Sequence, residues 1–201
     1  MTLSAFALNC SLKPSKEVSS TDKIIDEVIA ALGSHGVSHA GTVRMSDRNI
    51  RPGVTSDEGD GDEWPEVRGQ ILDAEIFVLG TPIWMGHPAS PAQRVLERLD
   101  AFLGETGPDG RMVSLDKVAI VAVVGNEDGA HHVAAELFQG LSDVGFTIPA
   151  GGMTYWVGEA MQTTDYKDLP DGSEKTNQAT KTAAANAAHL AHLLAKEPYP
   201  A

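Results

Sequence analysis

Three stretches of the chain combine residue types that suit the binding of a small, phosphorylated, partly flat ligand. Residues 9–21 (NCSLKPSKEVSST) bring Ser11, Ser15, Ser19, Ser20 and Thr21 together with Lys13 and Lys16. Hydroxyls and the free N–H groups of a helix start cradle an anion, and the helix dipole favours negative charge there. The same residues also read as a polar turn followed by ordinary N-capping. Neither GxxxxGK[ST] nor GxGxxG occurs in the stretch, which disfavours a P-loop or a dinucleotide-binding unit. In residues 80–90 (GTPIWMGHPAS), Pro82 restricts Thr81 to an extended backbone and Gly86 permits a left-handed turn. Ile83, Trp84 and Met85 place large apolar side chains there, suited to a stacked aromatic ligand, to a core lid or to a subunit contact. Residues 125–131 (GNEDGAH) offer Gly125 and Gly129 for close backbone approach and Asn126 and Asp128 as polar groups, or a turn that Asp128 caps.

Other reactive side chains have plainer readings. Cys10 lies beside the anion-binding stretch, where a thiolate would repel the ligand, so a buried inert thiol is expected. His131, His132 and Glu136 include an i, i+4 pair with no third ligand nearby in sequence, so no metal centre is expected. His189 and His192 are expected as half-buried packing residues on the last helix. Residues 57–63 (DEGDGDE) lack the alternating order of a calcium loop and are read as solvated. Tyr155, Trp156 and Tyr166 either cover the ligand or pin their segment to the sheet.

These stretches must be positioned by the elements between them. Short apolar runs at residues 3–8, 39–45, 75–79, 117–124 and 146–148 predict five strands. Residues 117–124 (KVAIVAVV) are apolar at nearly every position, as in a parallel sheet covered on both faces. Helical spacing predicts helices over 21–32, 64–72, 91–103, 132–144 and 174–196, the first capped by Ser20 or Thr21 and stopped by Gly33. On the third helix Val95, Leu96, Leu99, Phe102 and Leu103 share one side. Residues 51–62 read as an acidic surface loop and 151–172 as a long irregular segment. Strands alternating with helices give an α/β fold whose ligands bind beyond the carboxyl ends of the strands. The three stretches above all fall at such ends.

The combination of the serine-rich loop with Lys13, TPIWMG and VVGNEDGAHH resembles the NADPH-dependent FMN reductase family of flavodoxin-like proteins. The resemblance runs from the first strand to the fifth, and Thr81-Pro82-Ile83-Trp84 is its most specific piece. It implies a flavodoxin-like three-layer sandwich with a five-stranded parallel sheet, one domain over residues 1–201, and one FMN at the ends of strands one, three and four. By that match Ser11, Lys13, Ser19, Ser20 and Thr21 hold the phosphate. Thr81, Pro82, Ile83, Trp84, Met85 and Gly86 line the isoalloxazine, with Gly125, Asn126, Asp128 and Gly129 on its other edge. The loop of residues 9–21 is longer than the compact form common in flavodoxins. The clustered cysteines of related iron–sulfur flavoproteins are missing.

The implied activity passes electrons from NADPH or NADH through flavin to a small-molecule acceptor such as a quinone or free flavin. The alternative is a flavodoxin-type electron carrier that docks on partner proteins. A homodimer or homotetramer is part of the family expectation. The 201 residues suit one domain, and 15 basic against 28 acidic residues leave a net charge of −13. Such a surface repels phosphate backbones and anionic lipid heads, so neither nucleic acid nor a membrane surface is an expected partner. The single cysteine excludes an intramolecular disulfide. The N-terminal run has no basic n-region, and no apolar run approaches the about 20 residues of a membrane span, so a cytoplasmic protein is expected.

Overall fold

A computed structural model of the chain describes residues 2–160 and 162–200. The apolar runs form strands β1 (Ser4–Asn9), β2 (Ser38–Arg44), β3 (Ile76–Trp84), the two-residue β4 (His87–Pro88), β5 (Val118–Gly125) and β6 (Met153–Val157). Between them lie helices α1 (Ser20–Gly33), α2 (Trp64–Asp73), α3 (Ser90–Leu99), α4 (Ala130–Asp143) and α5 (Glu174–Leu194). The parallel strands run in the order β2-β1-β3-β5-β6, and β4 pairs antiparallel with the end of β3. The connections leave β1 and β3 in opposite directions, which opens a crevice above their carboxyl ends.

Strand alternation builds two core layers. Phe6, Leu8, Phe77, Leu79, Val121 and Val123 face one side, where α2, α3 and α4 pack. Ala5, Ala7, Val78, Ile120 and Ala122 face the other and meet α1 and α5. The small alanines on that side, and the buried Ala183, Ala184, Ala187, Ala188 and Ala191 of α5, allow close approach of helix and sheet. Gly80 serves the same end: a Cβ there would stand 2.4 Å from Ile25 Cδ1 and 3.2 Å from Thr21 Cγ2. The start of α1 thus rests directly on β3.

Several departures from the sequence reading follow from local structure. Residues 146–148 make no strand, because Thr147 forms a single bridge to Val118 and Pro149 cannot donate to a ladder. The fifth parallel strand is β6, inside the segment read as irregular, and it reaches β5 after a turn at Gly151. Strand β3 continues past Gly80 through Thr81 and Pro82, which pair with Val123 and Val124. Pro82 is tolerated there because the pairing of β1 with β3 has already ended at Gly80. Helix α3 stops at Leu99 in a 3-10 turn, leaving Leu103 exposed, and His189 and His192 lie on the exposed side of α5.

The last departure is the acidic loop. It wraps around Arg98 of α3, whose side chain and that of Asp62 are both wholly buried. Arg98 donates from Nε to the Thr55 carbonyl at 3.0 Å and from its terminal nitrogens to the Arg51 carbonyl at 2.9 Å and Asp62 Oδ2 at 2.8 Å. Its guanidinium also covers the buried Trp64 ring at 5.6 Å. Burial pulls the Asp62 pKa upward, but Arg98 and the N–H groups of Glu58, Arg51 and Trp64 outweigh it and hold the carboxyl well below the usual range. A depressed carboxylate pKa stabilises the fold above its unfolded value of about 3.9, and this contribution is lost as pH falls through the folded value. Asp62→Ala leaves Arg98 buried without its counter-ion and is expected to cost about 3–5 kcal/mol at pH 7. Urea unfolding of the variant and the parent at pH 7 and pH 3 checks this, with the gap narrowing at the lower pH.

Candidate functional site

The loop after β1 is shaped from behind by side chains that reading the loop itself does not reveal. Ser19, not Ser20 or Thr21, is the N-cap of α1: its Oγ accepts from the Asp22 N–H at 3.2 Å, and Asp22 Oδ2 accepts from the Ser19 N–H at 3.1 Å. This reciprocal capping box uses the Ser19 N–H and one lone pair of its hydroxyl, and leaves the hydroxyl hydrogen as a donor. The N–H groups of Ser20 and Thr21, at the first two helical positions, have no carbonyl within the helix to reach. Buried Asn9 adds a second brace, its Oδ1 accepting from the Ser11 N–H at 2.8 Å and its Nδ2 donating to Asp22 Oδ1 at 2.6 Å.

Arg44, the last residue of β2, completes the brace. It is paired with Asp22 and donates to the carbonyls of Lys13 (3.2 Å), Pro14 (2.7 Å) and Glu17 (2.8 Å). Ser46 also donates to the Lys13 carbonyl, at 2.6 Å. With these carbonyls satisfied on one side, Ser11, Lys13, Ser19, Ser20 and Thr21 line a cavity on the other. Cys10 is buried next to them, and burial pushes its thiol far up, as an inert core residue requires.

The second wall is a β-hairpin. Met85 and Gly86 link β3 to β4 in a two-residue turn with φ of 54° and 79°, the sign at both positions that a primed hairpin turn needs. The Met85 N–H donates to Glu127 Oε1 at 2.8 Å, tying the turn to the loop after β5. Trp84 and Met85 are 54% and 87% exposed, so neither is a core lid. Pro82, Ile83, Trp84 and Met85 line the cavity with Val124, Gly125, Asn126 and Glu127 opposite. Gly125 cannot carry a side chain without disturbing the hairpin, since a Cβ would meet Ile83 Cβ at 2.9 Å.

The remaining wall comes from the segment after β6. Trp156 lines the cavity and packs at 5.3 Å on Tyr166, which is fully buried and donates to Glu27 Oε2 at 2.5 Å. The Lys167 N–H donates to Ser20 Oγ at 3.2 Å, and Lys23 reaches the Leu169 carbonyl. This pinning to α1 carries Asp165 to the cavity, where it accepts from Asn126 Nδ2 at 3.0 Å and Lys167 Nζ at 2.8 Å. Lys167 first, and then Asn126, hold the Asp165 carboxyl below its ordinary range against the effect of burial.

The result is a cavity of about 450 Å³ at the carboxyl ends of β1, β3 and β5, within the size range of small-ligand sites. One end is hydroxyl-rich and lies at a helix start; the other is framed by Ile83, Trp84, Met85 and Trp156. The chain matches the NADPH-dependent FMN reductase family over residues 3–162.

The chain belongs to that family. Its enzymes are flavodoxin-like oxidoreductases that pair FMN with a nicotinamide donor. The chain is 32% identical to 8-demethyl-8-aminoriboflavin-5'-phosphate synthase of Streptomyces davaonensis, over 99% of its own length and 81% of that protein's. A crystal structure of RosB with the intermediate 8-demethyl-8-formylriboflavin-5'-phosphate has a TM-score of 0.87 at 31% identity, covering 98% of this chain and 82% of RosB. A Mycobacterium bovis protein named as the divalent metal cation transporter MntH is 35% identical over 96% of this chain, but the chain spans only 29% of that protein. Among the described residues no helix is long and apolar enough to cross a membrane.

Eleven of the residues expected at the flavin line the cavity, and four do not. Thr81 is buried behind the hairpin, its Oγ1 accepting from the Ala89 N–H at 3.1 Å. Gly86 and Gly129 meet backbone to backbone, a Cβ on Gly129 falling 2.9 Å from Gly86 Cα. Asp128 and Gly129 line a separate pocket of about 280 Å³ with His131, His132, Tyr155 and Val157. Sequence reading missed Leu12, Val124, Glu127, Gln162 and Asp165, and left Trp156 between covering the ligand and pinning its segment. Recognising residues 153–157 as a strand would have put Trp156 at a strand end. The S-x-x-D spacing of Ser19 and Asp22 marks the capping box without any structure.

Removing Arg44 should loosen the first wall without unfolding the sheet. Arg44→Ala is expected to cost about 2–3 kcal/mol, from hydrogen bonds made by a charged group. Amide hydrogen exchange of residues 10–19 should accelerate while that of β5 keeps pace only with global stability.

Proposed function

We propose that this chain binds FMN in the cavity between the three loops and reduces it with NADPH or NADH, delivering the electrons to a small acceptor such as a quinone or free flavin. The observation that carries this reading is the polarity of the cavity: a helix start with Ser20, Thr21 and Lys13 at one end, and an open apolar frame at the other. The redox chemistry, hydride acceptance from the nicotinamide and electron delivery to the acceptor, belongs to the flavin ring when FMN is bound.

The chain's own residues bind and orient. Ser11, Ser19, Ser20 and Thr21 hold the phosphate, with Lys13 as the cation against it in an otherwise acidic protein. The exposed Trp84 and Met85 set what can stack on the ring, and Trp156 closes the far side. The Met85 N–H is spent on Glu127, so hydrogen bonds to the ring come from other groups in the cavity wall, Asn126 among them. No general acid or base is assigned. A docking electron carrier has less use for a cavity framed by two tryptophans. The exposed Trp84, Met85, Leu12 and Val18 support a homodimer or homotetramer in which a second copy covers this end of the molecule.

A second reading makes the flavin the substrate. The likeness to a synthase of 8-demethyl-8-aminoriboflavin-5'-phosphate supports it. Mass spectrometry of flavin recovered after turnover separates the two readings: an unchanged FMN mass supports the reductase.

Purified protein loaded with FMN and desalted should keep a visible flavin band that bleaches when NADPH or NADH is added without oxygen. Protein that keeps no flavin, or flavin that neither nucleotide bleaches, defeats the reductase reading. Lys13→Ala should weaken FMN binding about tenfold, the value of one charge-assisted contact, while riboflavin binding stays unchanged. Trp84→Ala should raise the acceptor KM and shift stability by less than about 0.5 kcal/mol, as for an exposed position. Steady-state kinetics beside thermal melts check the last pair.

A further inference from the structure

The expectation of no metal centre rested on His132 and Glu136 having no third ligand near them in sequence. The fold supplies one from 45 residues earlier in the chain, His87 in β4, just past the hairpin turn. His132 Nε2 lies 2.7 Å from Glu136 Oε1, and His87 Nδ1 lies 3.0 Å from the same oxygen. One ligand atom from each of the three falls within 4.8 Å of the others. The two imidazoles stand edge to face with their centroids 5.1 Å apart. We propose that His87, His132 and Glu136 form a binding site for a divalent transition metal, zinc above all, that clamps the β3–β4 hairpin to α4.

The chemistry of the donors selects the metal class. Two imidazoles and one carboxylate suit zinc, copper, nickel or cobalt, and are too nitrogen-rich for magnesium or calcium. Positions 132 and 136 are one helical turn apart, so both side chains leave the same face of α4. Tetrahedral ligands at about 2.0–2.1 Å from zinc stand roughly 3.3 Å apart. The two separations to Glu136 need to open by about 0.6 and 0.3 Å, and the two imidazole nitrogens already stand within 4.8 Å of each other. The side chains of His87 and His132 are 62% and 57% exposed, so they can rotate to do this and leave a fourth position to water. The net charge of −13 concentrates cations at the surface.

The clamp joins elements that the cavity also uses. His87 follows Trp84, Met85 and Gly86 directly, and α4 follows the loop that carries Glu127. A metal bridging His87 to His132 and Glu136 gives the hairpin a second anchor beside the Met85–Glu127 hydrogen bond. It does not depend on what the cavity holds, so its test needs no flavin.

Isothermal titration of the chelator-treated full chain with zinc chloride at pH 7.5 should show one tight equivalent. His87→Ala and His132→Ala should each weaken it by about tenfold or more, since even changes one shell further out commonly cost that much. Both positions are exposed, so circular dichroism should show both variants folded. The double variant His189→Ala/His192→Ala, which removes the histidine pair on α5, should bind like the parent. Zinc should raise the melting temperature of the parent more than that of His87→Ala at the same zinc concentration. A parent that binds no zinc, binding as tight without His87 as with it, or binding lost with His189 and His192 would each overturn the site.

Discussion

The pairing of Arg44 with Asp22 is the constraint on which the candidate site rests. A loop that offers hydroxyls and N–H groups to an anion must turn its carbonyls elsewhere, and those carbonyls need partners of their own. Arg44 collects three of them with one guanidinium and fixes Asp22, which in turn holds the N-cap Ser19 and the brace residue Asn9. The positive charge of Arg44 is thereby spent inside the scaffold. Lys13 is left as the cation on the cavity side. This division of labour lets a loop without regular structure keep one shape at the end of the sheet.

The other walls follow the same logic, with rigid elements lending order to segments that have little of their own. The hairpin that bears Trp84 and Met85 is the end of β3 carried past the sheet and folded back on itself. Glu127 fastens its tip, and Gly125 lets Ile83 lie flat against β5. The segment after β6 is pinned to α1 through Tyr166, Lys167 and Leu169, which brings Trp156 and Asp165 to the cavity. On the outer side of α3 the acidic loop folds around Arg98, and its buried pair with Asp62 holds fifteen or so residues that have no helix or strand between 48 and 63. A buried pair of this kind is costly to break, whatever its net value against an apolar substitute.

Such an arrangement suits chemistry that resides in a bound group rather than in a protein acid or base. The cavity is hydroxyl-rich at one end and apolar at the other, and family membership supplies the pairing of FMN with a nicotinamide donor. The chain also resembles 8-demethyl-8-aminoriboflavin-5'-phosphate synthase, and a fold by itself does not fix the reaction performed. In the proposed reductase, Trp84 and Met85 at the open end are where acceptor choice would be set.

The sequence alone determined the α/β class, four of the five parallel strands and the three loops at their ends, because each is written in local signals. Continuous apolar runs such as 117–124 mark buried strands, and helical spacing marks the faces that cover them. Eleven cavity residues were legible for the same reason: they lie in the stretches that follow the apolar runs at 3–8, 75–79 and 117–124. Tertiary structure alone decided which distant side chains meet. Arg44 reaches back 22 residues to Asp22, Arg98 reaches 36 to Asp62, and His87 lies 45 residues from His132, so no local pattern records these pairings. Strand β6 was hidden because Gly151 and Gly152 precede it and its edge position leaves it only half buried. Its pairing with β5 is a long-range contact, and long-range contacts are specified by the packed fold rather than by any short window of residues.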